Sequence, residues 1–112
     1  MINELLKTIP DKTEWYATTS HKFKTDLWNF FKLIPESTEF SVVELGTSNG
    51  HSTKILSYLF KEVTTVNNNA SLKAKEFNSD RNNISFEMFD LYGGNWLITK
   101  GDIFFIDADH GF

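Results

Sequence analysis

Two glycines four residues apart follow an apolar segment in the sequence VVELGTSNGHSTKIL, residues 42–56. Gly46 and Gly50 lack a Cβ, so the backbone between a strand and a helix can turn sharply there and approach a bound molecule closely. The helix that follows would present free N–H groups, and Ser52 and Thr53 add hydroxyls at its start. This junction is suited to a carboxylate, a phosphate or a similar anion. A tight turn without a ligand is the alternative interpretation.

A second cluster, DADH, lies at residues 107–110. Asp107, Asp109 and His110 offer hard oxygen ligands and one imidazole within four residues, a combination that suits Mg²⁺ or Mn²⁺. Acids at strand ends also cap helices, so both interpretations stay open. Of the other histidines, we expect His51 to be solvated or to contact site residues without acting as a base, and His21 to be structural.

Two familiar phosphate-binding loops do not fit the glycine turn. A P-loop requires Lys where this chain has His51. A dinucleotide fingerprint requires three glycines, and Ser48 and Thr53 occupy the second and third positions.

The elements that must position these residues alternate from residue 40 onward. Hydrophobic periodicity predicts strands at 40–45, 62–66, 84–89 and 102–107, with helices at 52–60 and 70–80. This is the pattern of a doubly wound α/β sheet, whose ligands bind beyond the carboxyl ends of the strands. Glu44–Gly50, Asn67–Asn69, Asp90 and Asp107–His110 all fall at such ends.

Two helices are predicted before the sheet. The first spans Asn3–Ile9 and stops at Pro10, because proline interrupts a helix. The second begins after Ser20 as N-cap and ends at Pro35, both of them usual boundary residues. Its apolar face is predicted from the helical period to contain Phe23, Leu27, Phe30, Phe31 and Ile34.

Composition predicts one domain that acts on a small molecule. The chain has 112 residues, 40% of them hydrophobic and 15% aromatic. This length is enough for one core and too short for two. A net charge of -4 without a basic block argues against a nucleic-acid or anionic-membrane partner.

No cysteine is present, which excludes disulfides and leaves the redox compartment open. No signal peptide or membrane-length segment is evident, so we expect a cytoplasmic protein. The sequons at Asn69 and Asn83 are predicted to be ordinary loop or cap residues.

The segment VVELGTSNGHST resembles motif I of the class I S-adenosylmethionine-dependent methyltransferases, in the E-x-G-x-x-x-G-x-S form of the catechol and caffeoyl-CoA O-methyltransferases. The resemblance continues through VTTVNNNA and ISFEMFD to DIFFIDADHGF, so it covers residues 40–112. It implies a Rossmann-like doubly wound parallel sheet with strand order 3-2-1-4 at residues 37–112, preceded by a helical segment at residues 1–36. It also implies S-adenosyl-L-methionine as cofactor.

The resemblance also implies roles for individual residues. Asn67 stands where the family usually has an acid that binds both ribose hydroxyls. Asp90 would lie beside the adenine, and Asp107 would bind a divalent cation such as Mg²⁺. His110 replaces the catalytic lysine as the group that accepts the substrate proton. The implied cofactor-binding residues are Glu44, Gly46, Thr47, Ser48, Asn49, Gly50, Ser52, Asn67, Asn68, Asp90 and Asp107.

The family's sheet continues with three further strands beyond the segment DIFFID. We therefore expect a fragment of a longer methyltransferase, or an oligomer or partner chain that covers the edge of the Asp102–Asp107 strand, because exposed strand edges are prone to pair with other chains. The expected activity is methyl transfer to the hydroxyl of a small molecule, and the chain alone could lack it. The alternatives are a nucleoside-cofactor binding module without turnover and, third, an NAD-dependent oxidoreductase.

Overall fold

The computed structural model describes residues 2–9, 20–34, 37–47, 49–68, 70–88 and 103–106. Two helices precede alternating strands and helices, and a short 3-10 turn at Ser37–Glu39 leads into the first strand. The elements in chain order are α1 (Ile2–Leu6), α2 (His21–Lys32), β1 (Ser41–Leu45), α3 (His51–Leu59), β2 (Glu62–Asn67), α4 (Leu72–Phe77), β3 (Ile84–Met88) and β4 (Ile103–Ile106).

The four described strands form one parallel sheet in the order β3-β2-β1-β4. This confirms the predicted α/β class and the strand order. The chain runs outward from β1 to β3 and then crosses back to place β4 on the other side of β1. Such a reversal opens a crevice outside the carboxyl ends of the central strands, where ligands of doubly wound folds bind.

One hydrophobic core joins α2 and α3 to the sheet. Val42 of β1 and Ile55 and Leu56 of α3 are completely buried. The rings of Phe31 and Phe60 meet edge to face with centroids 5.2 Å apart. This geometry adds about 1 kcal/mol to the stabilisation from area burial. Burial of these side chains holds α3, and with it the glycine turn, against the sheet.

The buried face of α2 differs from the prediction. Leu27 and Phe31 are buried as expected, but Trp28 completes the apolar face, whereas Phe23 is 38% exposed and Phe30 63% exposed. The buried residues 24, 27, 28 and 31 have the i, i+3, i+4, i+7 spacing of a single helical face. This face carries the indole of Trp28. The helix ends at Lys32, before the predicted stop.

Polar contacts fix the start of α2 and the end of the segment that contains α1. The Ser20 hydroxyl accepts a hydrogen bond from the Phe23 N–H at 3.0 Å, which confirms the predicted N-cap. The Nε2 atom of His21 lies 2.6 Å from the Ile9 carbonyl oxygen just beyond α1, so the predicted structural role of His21 is confirmed.

Asn83 closes the carboxyl end of α3. Its side-chain amide donates to the carbonyls of Ser57 at 2.8 Å, Phe60 at 3.2 Å and Lys61 at 3.3 Å. These carbonyls belong to the last turn of a helix and the residues after it, where intrahelical donors are lacking. Asn83 is therefore a cap residue, as predicted.

The helix predicted at 70–80 is shorter in the structure, at Leu72–Phe77. Ser71 has φ 53, a left-handed conformation that excludes it from the helix. At the other end, the Asn78 side chain donates to the carbonyls of Ala74 and Gly50, both at 3.0 Å, and its backbone leaves the helical region. The predicted cap Asn69 lies outside the described residues.

Candidate functional site

The carboxyl edge of the sheet brings the glycine turn beside the end of β2. Leu45, the last residue of β1, pairs with Val66 on one side and with Ile106 on the other. Asn67 in turn pairs with Met88 at the end of β3. Parallel strands end at the same edge, so the turn after β1, the Asn67 side chain and the end of β3 all border one crevice.

Two positive φ angles shape the turn. Gly46 has φ 101 and Gly50 has φ 83, and residues with a Cβ rarely adopt either. The Gly46 N–H donates to the Val66 carbonyl at 2.8 Å, which extends the sheet by one hydrogen bond. The Gly50 N–H donates to the Thr47 carbonyl at 2.9 Å and closes the turn. The predicted strand, turn and helix are therefore confirmed as backbone geometry.

Gly50 also has a packing requirement that the sequence did not reveal. A Cβ built there would lie 2.6 Å from Asn78 Nδ2, 2.8 Å from Ala74 Cβ and 3.0 Å from Ala74 Cα. The missing side chain therefore lets α4 approach the start of α3. At this position, packing alone explains the glycine, which supports the alternative of a tight turn without a ligand.

Glu44 is fully buried beneath the turn and holds two threonines. Its Oε1 accepts hydrogen bonds from the hydroxyls of Thr65, at 2.7 Å, and Thr53. The Thr65 oxygen lies 2.8 Å from the Thr47 hydroxyl oxygen. A buried carboxylate needs such donors, because an uncompensated one is very costly. Glu44 and Thr47 thus belong to a network that supports the turn from inside.

Sequence reasoning missed the role of Thr65 and Thr53 in this network. The available signal was the pairing of β1 with β2, which places Glu44 directly beside Thr65. A charged residue within the apolar part of β1 indicates a buried hydrogen-bond partner, and the register identifies that partner as Thr65.

Asn67 is nine-tenths buried, and its Nδ2 donates to the Ser71 hydroxyl at 3.3 Å. Asn68 is exposed. Two apolar side chains near this end of the sheet are unusually exposed, Leu72 at 73% and Met88 at 66%. The end of β2 therefore combines a polar side chain with exposed apolar surface.

His51 is buried, which excludes the solvated alternative and leaves the expected contact with site residues a prediction. It is 5% exposed, and its ring centroid lies 4.9 Å from that of Phe77 in an edge contact. Desolvation, followed by the charges of Lys24 and Lys54, lowers the His51 pKa from 6.5 to about 4. The imidazole is therefore neutral at physiological pH. The next residue in the sequence, Ser52, is also buried, and Asn49 is partly exposed.

Four predicted site residues lie outside the described residues: Ser48, Asp90, Asp107 and His110. Within the described part of the chain, no group of three or more His, Asp or Glu side chains could hold a metal ion. In that same part, no helix is long and apolar enough to cross a membrane.

The amino-acid sequence matches no protein-family model and no curated protein. The structure, by contrast, resembles solved methyltransferases. A candidate RNA methyltransferase of Pyrococcus horikoshii aligns with a TM-score of 0.71 and 18% identity, over 98% of this chain and 56% of that protein. The tRNA methyltransferase TrmI of Aquifex aeolicus aligns with a TM-score of 0.69 and 19% identity, over 96% and 44% of the two chains.

Phosphoethanolamine N-methyltransferase 1 of Haemonchus contortus, solved with phosphoethanolamine and S-adenosylhomocysteine, aligns with a TM-score of 0.59 and 23% identity. The alignment covers 79% of this chain and 20% of that protein. The chain thus spans about a fifth to just over half of these proteins. At such identities the likeness concerns architecture: the chain has the Rossmann-like fold of the class I methyltransferases.

Proposed function

We propose that this chain binds S-adenosylmethionine at the carboxyl edge of β1 and β2 and forms the cofactor-binding half of a methyltransferase. The observation that carries the proposal is the turn between Gly46 and Gly50, which has two positive φ angles at the switch point of a methyltransferase fold. S-adenosylhomocysteine is present in the solved phosphoethanolamine enzyme that shares this fold.

The chemistry of the crevice suits the parts of this cofactor. The turn and the start of α3, including the Ser52 hydroxyl, would receive the methionine portion, because helix N-termini attract carboxylates. Asn67 would hydrogen-bond the ribose hydroxyls. The exposed side chains of Leu72 and Met88 would cover the apolar faces of the adenine. When bound, the cofactor supplies the methyl group, and the protein orients it.

The acceptor we propose is the hydroxyl group of a small molecule. The support is the resemblance of the Glu44–Ser52 segment to the motif I of catechol-type O-methyltransferases. The net charge of -4 agrees with a small-molecule acceptor more than with a nucleic acid. His110 would accept the hydroxyl proton, and Asp107 would bind Mg²⁺ beside it.

Calorimetric titration with S-adenosylhomocysteine tests the cofactor proposal. Saturable binding is expected for the wild-type chain. Gly46→Ala should lose at least about 10-fold in affinity, because a residue with a Cβ is strained at φ 101 and would change the turn. Lys22→Ala is the control, since its ion pair with Asp26 is exposed on α2 and unrelated to the crevice. Circular dichroism verifies that each variant is folded.

The titration also separates the alternatives. No binding by the folded chain would refute the proposal, and tighter binding of NAD would favour an oxidoreductase. Binding followed by methyl transfer from labelled S-adenosylmethionine to a catechol would support the hydroxyl acceptor. Binding without transfer to any tested hydroxyl would support a binding module instead.

A further inference from the structure

The hydrogen bonds that join Thr47, Thr65 and Glu44 under the turn have defined donors and acceptors. The Thr65 hydroxyl lies 2.7 Å from Glu44 Oε1. Glu44 Oε1 accepts the hydrogen bond, so the single proton of the Thr65 hydroxyl points to that oxygen. The Thr65 oxygen can then accept from the Thr47 hydroxyl, which lies 2.8 Å away. The result is a chain of hydrogen bonds from Thr47 through Thr65 to the fully buried Glu44 side chain.

Thr47 is the residue on which the turn depends. Its hydroxyl is held by Thr65, and its carbonyl accepts the Gly50 N–H at 2.9 Å. Thr47 is 3% exposed and Thr65 fully buried. Water therefore cannot replace either partner, and loss of one leaves the other unsatisfied. The network therefore fixes one end of the turn relative to β2.

We propose that Thr65 is a positioning residue for cofactor binding: it links the buried Glu44 side chain to Thr47 and holds the Gly46–Gly50 turn in the geometry that receives the ligand. The proposal rests on the proposed function of the turn. Thr65 would itself touch no ligand, since its hydroxyl is occupied on both sides by protein groups.

Thr53 provides a matched control. Its hydroxyl donates to Glu44 Oε1, as that of Thr65 does. The difference is that Thr53 lies on α3 rather than under the turn. Thr53→Val and Thr65→Val each remove one hydrogen bond to the same buried oxygen. Only Thr65→Val disconnects Thr47. Thr65→Ser keeps the hydroxyl and should restore the wild-type behaviour.

Two readouts test the proposal: S-adenosylhomocysteine affinity by calorimetry and amide hydrogen exchange of the Gly50 N–H by nuclear magnetic resonance. Thr65→Val is expected to weaken binding at least about 10-fold more than Thr53→Val does, the effect of losing one well-placed hydrogen bond. Gly50 exchange should accelerate by a similar factor in Thr65→Val alone. Thr47→Val, which cuts the other end of the connection, should act like Thr65→Val and replaces it if that variant does not fold.

Equal effects of Thr65→Val and Thr53→Val on both readouts would overturn the proposal and leave Thr65 a merely structural partner of Glu44. Failure of the wild-type chain to bind S-adenosylhomocysteine would refute the proposed function instead. The exchange of Gly50 would still decide whether Thr65 positions the turn, because it is measured without ligand.

Discussion

Replacement of Gly50 by alanine tests the close approach of α3 and α4. The residue has φ 83. A side chain in this left-handed region costs about 1–2 kcal/mol. The new methyl group would lie 2.6 Å from Asn78 Nδ2 and 2.8 Å from Ala74 Cβ. Overpacking of this kind costs about 1–3 kcal/mol.

Alanine also reduces the entropy of the unfolded chain, which returns about 0.4–1 kcal/mol. We therefore expect a net loss of about 2–4 kcal/mol in the free energy of unfolding. Urea unfolding followed by circular dichroism measures this loss. With the slope of about 1–3 kcal/mol per molar urea usual for small proteins, the midpoint should fall by about 1–2 M.

A double variant separates the contact from the backbone strain. Gly50→Ala/Ala74→Gly removes the Cβ of Ala74 but keeps the strained φ. A double-mutant cycle with the Ala74→Gly single variant should therefore give a coupling energy of about 1 kcal/mol. A loss below about 1 kcal/mol with no coupling would refute the inferred contact.

Three further predictions concern single side chains. The His51 pKa is about 4 in the folded chain and 6.5 ordinarily, so between these values the unfolded chain binds more protons and the free energy of unfolding should rise with pH before it flattens above 6.5. His51→Phe should remove about 2–3 kcal/mol of this dependence in urea titrations across that range. Asn83→Ala should cost about 2 kcal/mol in thermal or urea unfolding, because the carbonyls of Phe60 and Lys61 lose the side-chain amide as donor, whereas that of Ser57 keeps the Arg81 guanidinium. If the proposed cofactor site is correct, Asn67→Asp should tighten S-adenosylhomocysteine binding about 10-fold in calorimetry, since a charged acceptor strengthens the bonds to the ribose.

Each of these three predictions has a contradicting result. Equal pH dependences of wild type and His51→Phe would show that the imidazole is not buried in neutral form. Asn83→Asp is the matched control for the cap, because it keeps the shape and replaces the donor by an acceptor; stability equal to wild type would contradict the capping role. Weaker binding by a folded Asn67→Asp variant would argue against ribose recognition by this residue.

Much of the fold is predictable from local patterns. The alternation of apolar strands with amphipathic helices predicts β1, α3, β2 and β3 within about two residues, the uncertainty usual at element ends. Ser20 is identifiable as an N-cap because its hydroxyl acts within the next three residues. The strand order came from the resemblance to a known family rather than from periodicity, which carries no information on which strands pair.

The candidate site was predictable only in part. Gly46 was identifiable because a glycine between an apolar strand and a helix indicates an unusual backbone conformation, and the structure has φ 101 there. Gly50 also has a positive φ, but its close packing against Ala74 and Asn78, more than twenty residues away in the sequence, appears only in the structure. The roles of Ser48, Asp90, Asp107 and His110 stay predictions.

Local sequence thus decided the approximate bounds of most elements and which backbone positions need glycine conformations. Tertiary structure decided which face of α2 is covered, that His51 is neutral, and that Glu44 meets Thr65. The reason is that secondary structure depends on neighbours within a few residues, whereas burial and hydrogen-bond partners depend on the register between distant segments. The same carboxylate that the sequence marks as a ligand-binding candidate is, in the folded chain, the buried anchor of the turn above it.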